Sequence, residues 1–480
     1  MKSGSITKLA ALLGTLAIAG CKVGPNYKVP AMPAPPAYSD DGHNGAWTAA
    51  KPADSTTDRG AWWTIYGDTE LNDLEQRCAT FNQSIAAALH AYEQSHDLVR
   101  QSRSALYPTV GIGASAIRNR ISSTRPLRPA NAAQDYWDFL IPLSISWEPD
   151  LWGRVRRQIE SNTANAQASA ADLANTQLSL QGLLAVSYLQ LRGVDLQAQL
   201  LRNTLDAFTQ TLKLTEDRLK GGLSTESDVE QAKTQLEQTR AQLIDLGVGR
   251  AQLEHAIALL VGAPATGFHI AERPLAGDPP ALPTGIPSEI LQRRPDIAAA
   301  ERQVAAANAL IGVAKSAYYP TIVLGASGTV ESSQLSQLFN PASAGWNAGP
   351  SASQILFDAG RRRAQVDFAV AQREQVTALY RNQVLSAFRD VEDQLSALRV
   401  LEEEAAVQNR AVEAARRSTQ LSTLRYKRGL APYLEVLTNQ TIELTAERVS
   451  ASLVAQRIVA SSRLQIALGG GWSSTQLPKN

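Results

Sequence analysis

The chain runs to 480 residues, 44% hydrophobic and 19% charged, with a formal net charge of +1 from 46 basic and 45 acidic side chains. That balance excludes disorder for the bulk and gives no global field for nucleic acid or an anionic membrane surface. Aromatics are only 6% of the chain, while Ala, Gln, Leu and Ser crowd 155–260 and 361–468, the composition of long helices packed through small side chains.

Lys2 and Lys8 precede an apolar run from Leu9 to Ala19, which leads into Gly20-Cys21. A helix needs about 20 residues to cross a bilayer and this run is too short, so it reads as a secretion signal. Small residues directly before a cysteine resemble the lipobox of bacterial lipoproteins, in which the signal is removed and the cysteine becomes the lipidated first residue. Cys21 is then the lipid attachment point, and the absence of aspartate at Lys22 implies export to the outer membrane; an ordinary signal peptide ending near a cysteine is the alternative. Only Cys78 remains in the mature chain, so no disulfide can form within it, and Cys78 reads as a small core residue on a helix face. The expected plan is a signal at 1–20, a lipidated tether at 21–60 that is rich in Pro, Ala and Gly, a first repeat at 61–265, a linker at 266–286, a second repeat at 287–470 and a tail at 471–480.

Helical signals begin at Asp68, a candidate N-cap before the apolar positions Leu71, Leu74 and Cys78, and run to about Leu106, where Tyr107-Pro108 stops the helix. Between Tyr107 and Glu148 the period becomes two. Val110, Ile112, Ala114 and Ala116 share one face; then Trp137, Phe139, Ile141, Leu143, Ile145 and Trp147 share one, with Asp138, Pro142, Ser144, Ser146 and Glu148 opposite. The two tryptophans stand roughly 33 Å apart along a strand, or roughly 25 Å along a membrane normal after tilting, the spacing of two aromatic girdles. A half-buried soluble strand would alternate equally well but gains nothing from flanking tryptophans. Ile322, Leu324, Ala326 and Val330 repeat the pattern, and the segment from Trp346 to Phe357, which alternates poorly, is a strand by symmetry, with Trp346 a third girdle residue. Gly153 to Lys220 and Arg361 to Arg428 are then helices close to 100 Å long. Leu184, Tyr188, Leu191, Val194, Ala198, Leu201, Leu205, Phe208 and Leu212 advance by threes and fours, as do Val384, Phe388, Val391, Leu395 and Leu398, the seam of helices packed side by side. Turns at Gly221-Gly222 and Gly429 send the chain back through helices ending near Leu260 and Leu468.

Ser104-Ala105-Leu106-Tyr107-Pro108-Thr109 returns as Ser316-Ala317-Tyr318-Tyr319-Pro320-Thr321 about two hundred positions later, so one unit of helix, strand, strand, long helix and return helix is written twice. Four strands cannot close a membrane sheet, whose open edges would leave backbone groups unpaired in lipid. Two chains supply eight strands, whose barrel fills with side chains; three supply twelve, wide enough for a passage.

Enzyme motifs are missing: the sequence carries no phosphate loop, nucleophile elbow or dinucleotide fingerprint, and no catalytic residues are assigned. His90, Glu93 and His96 drift around a helix and read as solvated positions rather than a metal site. What the sequence does carry is Leu291-Gln292-Arg293-Arg294-Pro295-Asp296-Ile297, followed by Ala300-Glu301, Ala307-Asn308, Ile311-Gly312, Ala314-Lys315 and Tyr319-Pro320. This run resembles the signature of the outer-membrane efflux protein family, as does Trp62-Trp63 with Tyr66, Asp68, Leu71 and Leu74. With Cys21-Lys22-Val23-Gly24-Pro25-Asn26-Tyr27, the chain is similar to the lipoprotein branch serving resistance-nodulation-division pumps.

The resemblance implies a TolC-like homotrimer, mainly α, in which a twelve-stranded β-barrel in the outer membrane continues as an α-helical barrel about 100 Å long. It implies passive conduction of drugs or other small toxic compounds from a periplasmic membrane-fusion adaptor and an inner-membrane pump to the exterior. No cofactor is implied beyond the lipid on Cys21. By the same resemblance, Gly222, Leu223, Ser224, Gly429, Leu430 and Ala431 form the periplasmic tip that meets the adaptor. The gate would comprise Leu434 as an apolar ring, Glu435 as a threefold acidic ring, Arg425 and Tyr426 bracing the tip, and Asp228 as the first-copy counterpart of Glu435. Thr438 stands where relatives often place a second aspartate. Converging carboxylates repel one another and draw cations, which suits a cation-preferring constriction. Type I protein secretion and a structural periplasmic coiled-coil lipoprotein remain as alternatives; the latter leaves the Trp137 to Trp147 strand unexplained.

Overall fold

The computed structural model describes residues 22–31, 59–124, 126, 133–275, 277, 280, 293–473 and 476–478. The signal at 1–20, Cys21 and Leu291-Gln292 lie outside the described residues. Helix dominates, and one antiparallel sheet stands at the end of the molecule from which the two longest helices start.

The helical stretch expected from Asp68 to about Leu106 is two helices, α1 (Thr69–Phe81) and α2 (Gln83–Ser104). Asp68 caps α1, its carboxylate accepting from the Glu70 and Leu71 N–H groups at 3.0 and 3.3 Å. Asn82 makes the break. Its side-chain carbonyl accepts from the Ser84 and Ile85 N–H groups, and its amide donates to the Leu260 carbonyl at 2.8 Å. A residue that satisfies the orphan donors of a new helix stops the old one where it stands.

The sheet is built from β1 (Thr109–Ile112), β2 (Ser115–Arg120), β3 (Asp135–Trp147), β4 (Thr321–Ser332) and β5 (Ala344–Ser353). The first strand expected from sequence is therefore interrupted, but β1 and β2 keep a single register against β3: Ile112 faces Leu143 and Ser115 faces Leu140. Pro142 lies opposite the gap. It accepts from the Gly113 N–H at 3.0 Å and has no N–H to return, so the ladder loses a rung there. The last strand ends at Ser353 instead of Phe357, leaving Leu356 and Phe357 about nine-tenths exposed beyond it. Strand order is β1/β2, β3, β4, β5, so both outer edges are unpaired within one chain. Register aligns one apolar face across all strands: Leu143 meets Ile112 and Gly328, Ile145 meets Val110 and Ala326, and Trp147 meets Leu324, which meets Pro350.

The helices α3 (Arg154–Lys220) and α6 (Arg361–Lys427) are 67 residues each, and the returns α4 (Glu226–Leu260) and α7 (Tyr433–Ala467) are 35 each. At about 1.5 Å per residue the long pair reach roughly 100 Å. Their buried positions follow the expected seam, with Leu184, Tyr188, Leu191, Leu201 and Phe208 on α3 and Val384, Val391, Leu395 and Leu398 on α6. The remaining long helix, α5 (Pro295–Ser316), packs between α3 and α6. Pro295 opens it at N1, and Arg294 before it pairs with Asp296 at 2.7 Å while donating to the Ala467 carbonyl at 3.2 Å. The Arg-Pro-Asp run thus ties the start of α5 to the end of α7.

The described stretches 22–31 of the expected tether and 266–275 of the expected linker are docked. The backbone at 22–31 has no helix or strand, but Arg157, 1% exposed, donates to the Val23 and Gly24 carbonyls and to Asn26. Gly24 (φ +98°) lies against Gly312, where a Cβ would come within 2.5 Å of the Gly312 Cα; only glycine admits that approach. Tyr27 hydrogen-bonds Glu301. In the linker, Ile270 is buried, Arg192 donates to the Ala271 carbonyl at 2.6 Å, and Arg273 pairs with Asp68. Burial pulls the Asp68 carboxyl up, but hydrogen bonds from Arg273, Tyr188 and the Leu71 N–H outweigh it and hold the pKa below the usual range.

Cys78 is buried on α1, as expected, in a cluster with Trp62, Trp63, Leu71 and Leu74. One turn away, Glu75 is fully buried, and neither carboxyl oxygen meets a hydrogen-bond partner among the described residues. Burial alone pushes its pKa up to about 9, so the side chain is neutral at pH 7. Burial and the neighbouring Glu75 push the Cys78 thiol up to about 12, which makes it inert as a nucleophile.

Candidate functional site

The tip opposite the sheet is made by two turns with the same hydrogen bonds. Gly222 (φ +70°) follows α3, and the Leu223 N–H donates back to the Arg218 carbonyl at 2.8 Å; Gly429 (φ +76°) follows α6, and the Leu430 N–H donates to the Arg425 carbonyl at 2.9 Å. Both are six-to-one helix stops that need a left-handed residue, which is why glycine stands at each. Leu223 and Leu430 are 68% and 66% exposed, an apolar presentation at the extremity of two helical hairpins.

The first residues of the two return helices differ, and the difference assigns their acids different work. Thr225 caps α4: its hydroxyl accepts from the Asp228 N–H at 3.2 Å, while the Asp228 carboxylate accepts from the Thr225 N–H at 3.0 Å and from the Ser224 hydroxyl at 2.8 Å. This is a capping box, and it occupies Asp228. Burial opposes the charge, but the Thr225 N–H and the Ser224 and Thr225 side chains prevail and hold the Asp228 carboxyl below the usual range. In the second return helix, Pro432 stands at the N-cap with no hydroxyl and no N–H. The box cannot form, and Glu435 instead accepts from Arg425 at 2.7 Å, across the turn from α6 to α7. Asp228, which the resemblance implies as the first-copy counterpart of Glu435, is thus held in the cap of its own helix. The signature Thr225-Glu226-Ser227-Asp228, a hydroxyl residue three before an acid, is the signal that distinguishes it.

Tyr426 is 3% exposed and joins the two hairpins. Its ring packs edge-on against Tyr433 at 5.6 Å, the Arg218 guanidinium from α3 lies 4.7 Å over it, and its hydroxyl is 3.3 Å from the Ser224 hydroxyl. Ala232 and Val436 complete the cluster. Arg425 and Tyr426 thus act as neighbours with separate tasks, one pairing Glu435 at the surface and one buried between repeats. Leu434 is 59% exposed, on the side of α7 that turns away from this cluster. The Thr438 hydroxyl donates to the Leu434 carbonyl of its own helix. Ser224 serves the box, and Ala431 is half-buried. The sequence does not mark Arg218 and Tyr433 as partners of Tyr426, because a cation and a second aromatic at the ends of different helices carry no local pattern.

At the other end, Trp147 donates its indole N–H to the Leu106 carbonyl at 2.9 Å, where α2 hands over to β1. Trp137 stacks on Phe139 at 5.6 Å, and Arg118 lies 5.9 Å over its ring. Trp346 is 85% exposed and registers with Gly328, which faces Leu143, so along the strand direction it stands level with the middle of β3. His90 pairs with Glu93 across one turn of an exposed helix face, and the His96 ring tilts against Tyr92.

A family model described as outer membrane efflux protein matches residues 76–263 and 286–470. The chain is 32% identical over 418 residues to a pyoverdine export outer membrane protein, OpmQ, of Pseudomonas aeruginosa, covering 86% of this chain and 88% of that one. It is 30% identical over 483 residues to the solvent efflux pump outer membrane protein SrpC of Pseudomonas putida, covering 99% of this chain and 100% of that one. The solved structure of the outer-membrane channel OprN superposes with a TM-score of 0.85 at 30% identity, covering 94% of this chain and 100% of that one.

Proposed function

We infer from one premise, that the chain belongs to the outer membrane efflux protein family, how its geometry serves export. The chain is an outer-membrane component of an efflux system, and its relatives are efflux proteins of that membrane. The finer reading is a homotrimer in which three four-stranded sheets close a twelve-stranded barrel and the helices continue it as a periplasmic tube. One observation carries it: a single chain presents a coherent apolar sheet face with both edges unpaired, next to helices of 67 residues. Unpaired edges in lipid are costly, and copies of the same edges satisfy one another. Phe368, Leu379 and Leu385 along α6 are more than half exposed in one chain, apolar surface that a neighbouring copy would cover.

In this reading the lipid on Cys21 anchors the chain, and the docked segment behind it fixes where the anchor leaves the body. The tip turns Gly222-Leu223-Ser224 and Gly429-Leu430-Ala431 offer exposed leucines to a periplasmic membrane-fusion adaptor. The Arg425–Glu435 pair holds α6 and α7 together at the tip, and three copies of Glu435 and Leu434 narrow the opening. The energy comes from an inner-membrane resistance-nodulation-division pump, which also selects among drugs and other small toxic compounds. No cofactor takes part. Protein purified from the outer membrane is expected to have the mass of three chains in detergent, to migrate heat-modifiably on a gel and to form channels in planar bilayers. A stable monomer that conducts nothing would refute the trimeric conduit.

A further inference from the structure

The apolar face of the sheet ends in a cation. On β2 the outward positions run Ala116, Arg118, Arg120, and opposite them on β3 run Phe139, Trp137, Asp135. Arg120 has a carboxylate, Asp135, at 3.9 Å. Arg118 has none among the described residues: its side chain is exposed and its guanidinium rests 5.9 Å over the Trp137 ring. The nearest acid along β3, Asp138, registers with Ile117 and so points to the opposite face, as does Glu331, which registers with Leu140. An adjoining copy brings no acid either, because the sequence from Ser332 to Ser353, which contains β5 and the loop before it, has no Asp or Glu.

Height places this cation in a headgroup layer. Trp147 marks the end of the sheet that touches α2, and Trp137 lies ten residues away at the opposite end, beside the β4–β5 connection and away from the long helices. That separation is roughly the height of the apolar band of an outer-membrane barrel, so Trp137 and Arg118 stand at the outer rim of the band. Below them lie Phe139, Ala116 and Ile141, surface suited to acyl chains. A planar guanidinium on an aromatic face keeps its edge N–H groups for a bidentate acceptor, and phosphate matches them.

We propose that Arg118, seated on Trp137, binds the phosphate of an anionic glycolipid of the outer leaflet, with Phe139 and Ala116 against its acyl chains. This rests on the outer-membrane reading of the sheet. The test compares wild type, Arg118→Gln and Arg118→Lys, purified from the outer membrane, by native mass spectrometry of retained lipid and by thermal protection with added lipid A, dephosphorylated lipid A or inorganic phosphate. Expected are retained phosphorylated lipid and protection by lipid A in the wild type, an apparent affinity about tenfold weaker for Arg118→Gln, partial retention for Arg118→Lys, and no protection by the dephosphorylated lipid. Equal binding by Arg118→Gln, or equal protection by dephosphorylated lipid A, overturns the proposal; protection by inorganic phosphate alone overturns the lipid assignment. Heat-modifiable migration scores the barrel separately: lost binding with the barrel intact belongs to the site, whereas a protein that never forms a barrel overturns the reading beneath it and the site with it.

Discussion

Glu75 makes the fold depend on pH, and the size of the dependence follows from its burial. The carboxyl is 0% exposed, has no hydrogen-bond partner among the described residues, and has its pKa raised by burial from 4.5 to about 9. Because the folded pKa lies above the unfolded one, the contribution is fully present below pH 4.5 and is lost as pH rises through about 9. Across that window the loss is about 1.4 kcal/mol per pH unit, which reaches about 3 kcal/mol at pH 7. Glu75→Gln and Glu75→Met remove the proton linkage at nearly constant volume, and Met also removes every polar atom that lacks a partner. Glu75→Gln is expected to match the wild type near pH 4.5 and Glu75→Met to be more stable already there, and the advantage of both is expected to grow up to pH 9. Unfolding in guanidinium at a series of pH values reads this through Trp62 and Trp63, which share the core cluster with Cys78. Parallel pH profiles, or variants weaker than wild type at every pH, would mean that the carboxylate is charged and paired, and the reasoning would be wrong.

The asymmetry at the tip gives three further expectations. Asp228→Ala breaks the capping box and costs about 1 kcal/mol of α4 stability; because its pKa is depressed, the wild-type advantage is present above the usual carboxylate range and disappears as pH falls through the folded value, which limited proteolysis at Gly221-Gly222 reads as a function of pH. Glu435→Ala removes a partly exposed pair with Arg425 and costs at most about 1 kcal/mol of stability, yet it is expected to lower the cation preference of channels in planar bilayers; an unchanged reversal potential counts against an acidic constriction. Gly429→Ala forces a side chain into a left-handed turn and costs about 1 kcal/mol, detected as faster cleavage between α6 and α7.

Much of this molecule was legible in its sequence because helix and strand periods are local properties. The seam from Leu184 to Leu212, the alternation from Trp137 to Trp147 and the glycines after each long helix each set a backbone conformation within a few residues of themselves, and the elements appear with nearly the expected bounds. The two breaks that were missed, at Asn82 and opposite Pro142, were also local in chemistry. They escaped because the period on either side continues unbroken, and only the hydrogen-bond ladder registers the interruption.

Tertiary structure alone decided the rest. Arg157 reaches Val23 across 134 positions, Arg273 reaches Asp68 across 205, and Arg218 covers Tyr426 from another helix. Such partners carry no period and no spacing, since the distance between them is set by how 67-residue helices lie against one another. Composition makes 21–60 read as a tether because Pro, Gly and Ala lack the pattern of an element, yet in its described part, 22–31, the buried Arg157 guanidinium takes the carbonyls that the packing delivers. The same separation holds at the tip. The acid three residues after Thr225 caps its own helix and is legible locally, whereas the acid three after Pro432 has no box to join, and only the packing of the α6–α7 hairpin brings Arg425 within 2.7 Å of it.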